Sequence, residues 1–212
     1  MRTNRKTQAQ VTRQEILDAA EEVFYETGLS GATLEAIAVR SGVTRGAIYW
    51  HFSNKADVFA AVFERTVSFY RQLLVDITQK ATSLKELEDF TADLLHQIAL
   101  EPQKQRALCI LMLRHEWLSV ENKILAASLE SHESNLQLLV DFLRRMQGCG
   151  ILHATASPRA LADGYMFYVQ GIILQFLRHP ETVELAKDAK SHIRLFFQAF
   201  ENHAPHESKG EL

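Results

Sequence analysis

The sequence contains few of the residues that interrupt helices. Only nine glycines and four prolines occur among 212 residues, so long helices form easily and an all-β fold is disfavoured. Two cysteines, Cys109 and Cys149, are too few for the disulfide framework of a secreted protein and favour a reducing compartment. No signal peptide is visible, and no apolar run approaches the roughly 18 residues of a membrane span. We therefore expect a cytoplasmic protein without a membrane partner.

An excess of positive charge is also lacking. The net charge is −3, which by itself argues mildly against binding to nucleic acid. The basic residues are unevenly distributed, however. Residues 1–55 hold seven basic against six acidic residues, whereas the rest of the chain holds sixteen against twenty. This distribution suits a small N-terminal head that binds a polyanion and a larger acidic body that does not.

Apolar residues recur at helical spacing along the chain and predict an all-α fold of about nine helices. Residues 1–10 are polar and are predicted to be loose. Thr12 and Glu15 match the capping box that opens a helix, and Gly28 is predicted to end that helix. The later helices are predicted near residues 34–41, 44–52, 55–79, 84–100, 103–118, 121–147, 158–178 and 183–203. We expect a three-helix domain over residues 1–55, followed by a larger helical domain over residues 56–212.

Two short predicted helices are joined by Gly42 and Val43. A brief turn containing glycine between helices of about eight residues is the pattern of a helix-turn-helix, which by itself is common and weakly specific. In this motif the start of the second helix meets the edges of DNA bases. Here that start is Thr44, and a purely structural helix pair is the alternative.

The side chains that follow suit contact with DNA. Arg45 can donate two hydrogen bonds to guanine O6 and N7, and Thr44 can meet a thymine methyl group or a phosphate. Gly46 has no side chain and would let the backbone approach the groove. The residues expected along a phosphate strand are Tyr49, His51 and Lys55. The alternative is that the aromatic residues of this helix belong to the core.

The segment from Leu34 to Lys55 resembles the signature of the TetR (tetracycline repressor) family, and the run from Val43 to Phe52 looks like its AcrR-type branch, repressors of multidrug efflux operons. The strong resemblance covers about residues 10–65. It implies an all-α homodimer with a three-helix DNA-binding head and a ligand-binding body. It also implies that Thr44, Arg45, Gly46 and Tyr49 lie at the DNA, and that Thr33, His51 and Lys55 lie on phosphates.

Methionine, aromatic and polar residues occur together in the predicted body helices. Most such residues fill cores, but helix bundles also enclose ligand cavities, and flexible methionines suit a permissive pocket. A polar Gln170 within an apolar helix needs a partner if it is buried. The candidate ligand-binding residues are Met112, His115, Glu116, Met166 and Gln170.

Two other classes of protein compete with a ligand-binding regulator. Asp93 and His96 have the spacing of a helical metal pair. A metal site in a helix bundle needs such pairs on facing helices, and the sequence contains no second Glu-x-x-His pair. No phosphate loop or nucleophile motif appears, so we expect no enzyme, no cofactor and no metal site. An architectural DNA-binding protein without a ligand is the other class, and the large body argues against it.

The sequence thus predicts a dimeric repressor that binds operator DNA and is released by a small hydrophobic or amphipathic molecule, with the efflux role inferred from resemblance alone. The last two helices are expected to form the dimer interface, and their apolar candidates are Ile172, Ile173, Phe176, Leu195, Phe196 and Phe200. The long fourth helix is expected to transmit the effect of a bound ligand to the DNA-binding head. The alternative is a regulator of a metabolic or signalling gene set, without an efflux role or without an inducer.

Overall fold

The computed structural model describes residues 2–113, 122–152 and 157–201. Within these ranges it contains nine α-helices and no strand, so the predicted all-α fold is confirmed. The helices are α1 (Arg2–Gly31), α2 (Leu34–Ser41), α3 (Arg45–His51), α4 (Lys55–Lys80), α5 (Leu84–Leu100), α6 (Pro102–Leu113), α7 (Asn122–Gly148), α8 (Pro158–Arg178) and α9 (Leu185–Glu201).

The first helix begins earlier than the sequence predicted. It starts at Arg2, so Thr12 lies inside it, and both the loose segment and the capping box were wrong. The residues before Thr12 are mostly good helix formers without glycine or proline, and nothing local stops the helix there. The predicted end is confirmed, because Gly28 leaves the helical conformation with φ 72° and ψ 173° before a last turn reaches Gly31.

The chain forms two compact units. The first comprises residues 1–71 and 101–131. Its core is one cluster of buried side chains from α1 to α4, in which the rings of Phe24 and Phe59 pack edge to face at 5.2 Å. Ile110 of α6 is buried in the same cluster. Burying one side chain of this size contributes about 1.5–3 kcal/mol to the free energy of folding, so this cluster stabilises the first unit.

The second unit comprises residues 72–100 and 132–212. Here α9 packs along α5, and α8 packs against α9. The hydroxyls of Thr91 and Tyr165 share a buried hydrogen bond of 2.6 Å that joins α5 to α8. Burial raises the pKa of Tyr165 to about 12, so this hydroxyl stays neutral. An internal apolar cavity beside Tyr165 measures only about 10 Å³, which leaves no room for a ligand.

Two residues expected at a dimer interface lie in the core instead. Ile173 and Phe176 are buried, because the face of α8 that carries them turns inward within the second unit. Leu195 is exposed and Ile172 and Phe196 are half-buried, whereas the side chain of Phe200 lies outside the described residues.

Among the described helices, α8 is long and apolar enough to cross a membrane by length and composition alone. A core helix passes the same test, and α8 is held within the second unit by hydrogen bonds. The Tyr165 hydroxyl shares its hydrogen bond with Thr91 of α5, and the Tyr168 hydroxyl donates to the carbonyl oxygen of His192 on α9 at 2.8 Å. These bonds from α8 to α5 and α9 are typical of a helix within a bundle.

Candidate nucleic-acid interface

The predicted helix-turn-helix is formed by α2 and α3, and each boundary has a local cause. Thr33 begins α2 by accepting a hydrogen bond from the Ala36 N–H at 3.1 Å. Gly42 ends it in the left-handed region at φ 70°, where residues with a Cβ are strained. Thr44 then begins α3 by accepting from the Ala47 N–H at 3.2 Å. Ile48 is buried, which locks α3 onto the core of the first unit.

The opposite face of α3 is open to solvent. Thr44, Arg45, Gly46 and Tyr49 are all exposed on it. The guanidinium of Arg45 donates to the Tyr49 hydroxyl at 3.3 Å and lies 5.6 Å from the centre of its ring. The hydrogen bond from Arg45 to Tyr49 is the main cause that raises the pKa of Arg45. Arg45 is therefore a charged side chain with several N–H donors, and its contacts with Tyr49 hold it at the exposed start of α3.

Trp50 is a candidate that the sequence reasoning missed. Its side chain is 73% exposed, whereas Phe52, two residues later, is buried. The alternative of an aromatic core therefore holds for Phe52 and fails for Tyr49 and Trp50. The signal was available, because Trp50 follows Gly46 at the four-residue spacing of one helix face. Trp50 also borders a groove of about 300 Å³ between α1 and α3.

His51 lies beside Trp50, with the two ring centres 4.5 Å apart. Burial and, to a smaller extent, the charge of Arg13 lower the pKa of His51. The imidazole is therefore neutral at neutral pH, and at a phosphate it would act as a hydrogen-bond donor rather than as a cation.

Lys55 stabilises the head directly. Its ammonium group donates to the carbonyl oxygens of Ser30 at 3.2 Å and Ala32 at 2.8 Å, which ties the start of α4 to the last turn of α1 and the residue that follows it. An ammonium has three donors, so one remains for a phosphate. Asn54 caps α4 by accepting from the Asp57 N–H at 2.9 Å. The phosphate contacts of Thr33, His51 and Lys55 remain predictions.

The acids of the head are largely neutralised by arginines from three other helices. Arg40 of α2 binds Glu22 at 2.9 Å and Glu26 at 2.7 Å. The remaining pairs join Arg65 of α4 to Asp18 and Glu21, and Arg106 of α6 to Glu21 and Glu22. Four of the six acids in residues 1–55 are therefore paired along α1. Arg45 on α3 has a looser acidic neighbour, because the Glu35 carboxylate lies 4.0 Å from its guanidinium and both side chains are exposed.

The predicted ligand-binding residues are only partly described. Met112 is half-buried in the first unit, and Met166 and Gln170 are half-buried in the second. His115 and Glu116 lie outside the described residues. The ligand-binding role of all five stays a prediction.

The possible metal pair on α5 makes an ordinary structural contact. The Nδ1 atom of His96 lies 2.7 Å from the carbonyl oxygen of Ala186 on α9. Across the described ranges, no group of three or more potential ligands among His, Cys, Asp and Glu could hold a metal ion.

Comparison with known proteins agrees with this arrangement. The family described as bacterial regulatory proteins, tetR family, matches residues 16–62, which span the second half of α1, all of α2 and α3, and the start of α4. The transcriptional regulator TtgR of Pseudomonas putida is 30% identical over 191 residues, covering 87% of this chain and 89% of TtgR. The transcriptional regulator AcrR of Shigella flexneri is 27% identical over 197 residues, covering 92% of each protein.

A solved structure of SmeT in complex with triclosan matches nearly the whole chain. Its TM-score is 0.80 at 28% identity, covering 95% of this chain and 99% of that one. SmeT is the repressor of the Stenotrophomonas maltophilia multidrug efflux pump SmeDEF. These similarities extend well beyond the helix-turn-helix, and this chain belongs to the tetR family of bacterial regulatory proteins, within its AcrR-like branch.

Proposed function

We propose that this chain is a cytoplasmic repressor that binds operator DNA as a dimer, is released by a small hydrophobic or amphipathic molecule, and controls a multidrug efflux operon. The observation that carries the proposal is the exposed face of α3, where Arg45 and Tyr49 stand together beside Thr44 and Gly46. If these residues belonged to the core or to a buried ion pair, they would not be open to solvent.

In this proposal Arg45 reads a guanine in the major groove, and Gly46 lets the start of α3 approach the base edges. Tyr49 holds the guanidinium in place and reaches the DNA beside it. Thr33, His51 and Lys55 position the head on phosphates, which adds affinity without adding sequence preference.

Replacing Arg45 with alanine tests this assignment. A bidentate guanine contact is worth about 1–3 kcal/mol, so we expect operator affinity to fall about 5- to 150-fold and the preference for operator over unrelated DNA to shrink. Arg144→Ala is the matched control, because its side chain is 63% exposed against 61% for Arg45 and lies on α7. Unchanged operator binding in Arg45→Ala, measured by fluorescence anisotropy, would show that α3 is not the reading helix.

The dimer is proposed to form through α8 and α9. Phe167 on α8 and Leu195 on α9 are large apolar side chains left exposed, which suits a surface covered by a second copy. Two heads related by a twofold axis could then read half-sites about one helical turn apart, roughly 34–36 Å.

Leu195→Asp should weaken the dimer in sedimentation velocity experiments, because it buries a charge in an apolar interface. Leu129→Asp on α7 is the control, since both leucines are 62% exposed. A wild-type monomer at micromolar concentration would refute the proposal, as would equal effects of the two substitutions.

Release by a ligand is proposed to act through α4, a single helix of 26 residues. The proposed ligand-binding residues are Met112, His115, Glu116, Met166 and Gln170. A coupling of about 1–3 kcal/mol would change operator affinity about 5- to 150-fold, and the operator must then weaken ligand binding by the same factor. Triclosan, present in the SmeT complex, is the first compound to titrate into the free protein and into its operator complex. Equal affinities in the two titrations would contradict induction.

The efflux role rests on the relatives, among which SmeT is described as an efflux-pump repressor. Footprinting on the intergenic DNA beside the gene for this protein tests it. Protection upstream of genes unrelated to transport would leave the DNA-binding assignment intact and overturn the efflux role.

A further inference from the structure

Arg106 of α6 contains a buried hydrogen-bond donor that is not used. Its Nε atom is shielded from solvent and has no hydrogen-bond partner among the described residues. A buried N–H without an acceptor destabilises a fold, so such atoms are rare in native structures. Any conformation that brings an acceptor within hydrogen-bond distance of this atom would therefore be favoured.

Two acidic side chains of α1 face this guanidinium from just beyond hydrogen-bond distance. The Glu21 Oε1 atom lies 3.8 Å from the Nε atom of Arg106, and the Glu22 Oε1 atom lies 3.8 Å from its Nη2 atom. The donor and acceptor of an N–H···O hydrogen bond are about 2.7–3.2 Å apart. A movement of about 1 Å would therefore turn both contacts into hydrogen bonds.

The same two carboxylates are already bonded through their other oxygens. The Oε2 atom of Glu21 accepts from Arg65 of α4 at 2.9 Å, and the Oε2 atom of Glu22 accepts from Arg40 of α2 at 2.9 Å. Between described residues, no hydrogen bond uses either Oε1 atom. A carboxylate accepts through both of its oxygens. New bonds to Arg106 would therefore add to those of Arg65 and Arg40 without displacing them.

The start of α6 has room for such a movement. Ile110 lies one turn after Arg106, on the same helix face, and is buried in the core of the first unit. Earlier on α6, Gln103, Lys104 and Ala107 line an open cleft of about 550 Å³ that also borders α1 and α4. The first turns of α6 can therefore shift slightly while Ile110 stays in the core.

We propose that this contact of Arg106 with Glu21 and Glu22, the α1–α6 contact, is open in the DNA-free protein and closes on DNA. Arg106 is then a positioning residue for DNA binding, and the proposal rests on the proposed repressor function. When the contact closes, Nε donates to Glu21 and Nη2 donates to Glu22. The closed contact connects α6 through α1 to Arg40 of the helix-turn-helix.

The phosphates of DNA supply the cause of closure. The acids of α1 repel phosphates, and a cation that moves closer to these acids reduces the repulsion. DNA binding therefore favours the closed α1–α6 contact. By reciprocity, a protein that can close the contact binds DNA more tightly than a protein that cannot.

Anisotropy titrations of operator and unrelated DNA with Arg106 variants test the proposal. Arg106→Gln should weaken the binding of both DNAs about five- to tenfold, at the lower end of couplings between separate sites. Arg106→Lys should weaken it about as much, because an ammonium keeps the charge but cannot bridge two carboxylates as a guanidinium does. The salt slope should stay unchanged in both variants, since Arg106 contacts α1 rather than a phosphate.

Lys80→Gln is the matched control for the loss of charge. Lys80 also lies 3.8 Å from its acidic partner, Asp76, so this substitution removes one cation from a pair of the same separation. The control should bind both DNAs as the wild type does. Arg106→Gln should also change the melting temperature of the DNA-free protein by less than about 2 °C, because a contact at 3.8 Å adds little stability.

Nuclear magnetic resonance follows the donor itself. In full-length protein labelled with 15N-arginine, the Nε–H resonance of Arg106 is assigned by its loss in Arg106→Lys. This resonance should shift downfield when DNA is added, because the Nε–H gains an acceptor. A merely structural role would lower the melting temperature in Arg106→Gln and leave the resonance where it was.

Wild-type affinity in Arg106→Lys would overturn the proposal, because charge alone would then account for the effect of Arg106. An equal loss of affinity in Lys80→Gln would overturn it as well. If the wild type binds DNA and the Nε–H resonance does not move, the proposal fails and the repressor function stands. If the wild type binds neither DNA, both fail together.

Discussion

Glu21 and Arg65 form an ion pair whose energy can be measured by a double-mutant cycle. The side chain of Glu21 is 4% exposed, and Arg65 donates to it at 2.9 Å and to the exposed Asp18 at 2.6 Å. A hydrogen bond between charged groups is worth about 1.5–3 kcal/mol, and an exposed pair about 0.2–1 kcal/mol. Arg65→Gln should therefore lower the free energy of unfolding by about 2–3 kcal/mol.

The cost of Arg65→Gln should fall to about 1 kcal/mol when Glu21 is already glutamine, because a neutral partner leaves no buried charge behind. The predicted coupling between the two sites is thus about 1–2 kcal/mol. Urea unfolding followed by circular dichroism, at one protein concentration, measures all four proteins of the cycle. Arg144→Gln, which breaks an exposed pair with Asp141 at 2.7 Å, is the control and should cost less than about 1 kcal/mol.

The pH dependence gives the cycle a second readout. Burial raises the pKa of Glu21 above its ordinary value, and this effect exceeds the opposing effects of Arg65 and Arg106. The folded protein then holds the proton more tightly than the unfolded chain does. The contribution of Glu21 to stability is therefore fully present below the ordinary carboxyl pKa and is lost as pH rises through the raised pKa of the folded state.

Glu21→Gln should consequently be at least as stable as the wild type at about pH 7, and its advantage should shrink toward about pH 4. A glutamine variant that is less stable than the wild type by more than about 1 kcal/mol at neutral pH would mean that ion pairing outweighs burial. Strict additivity in the cycle would mean that Arg65 does not act through Glu21.

Three further substitutions test the head and the second unit. Lys55→Ala should weaken operator and unrelated DNA about equally and flatten the salt slope by about one unit, as measured by anisotropy at several salt concentrations. It should also lower the melting temperature, because two carbonyl contacts are lost. Gly42→Ala should cost about 1 kcal/mol in urea unfolding from backbone strain alone, since φ is 70° and nothing lies within 4 Å of an added Cβ; an unchanged stability would contradict this. Tyr165→Phe should cost about 1 kcal/mol, because Thr91 keeps its bond to the Leu87 carbonyl oxygen at 2.6 Å; a loss above about 3 kcal/mol would point to a larger network.

Local signals in the sequence located the helices and the exposed face of α3. Helices α2 and α3 begin at the capping side chains of Thr33 and Thr44, and α2 ends at the left-handed backbone of Gly42. These boundaries depend on neighbouring residues only, so they could be predicted without knowledge of distant ones. The exposed row from Thr44 to Tyr49 likewise follows from helical periodicity. The predicted capping box at Thr12 was wrong, and the cause is also local. No helix breaker precedes Thr12, so the helix continues through it.

Long-range pairing could not be read from the sequence. The acids of α1 are partnered by arginines up to 85 residues away, as in the contact of Glu21 with Arg106. Nothing near Tyr70 in the chain shows that its hydroxyl is buried without a hydrogen-bond partner among the described residues. Such facts depend on which helices pack together, and helical periodicity specifies the face of a helix without specifying the helix that covers it.

The sequence by itself therefore determined the all-α fold, the bounds of the helix-turn-helix and the exposed side chains of α3, because each of these depends on residues within about one or two helical turns. Only the tertiary structure decided that Ile110 of α6 joins the core of the N-terminal helices and that Ile173 and Phe176 are buried. The physical reason is that burial depends on the packing of elements distant in the chain, which local spacing does not encode.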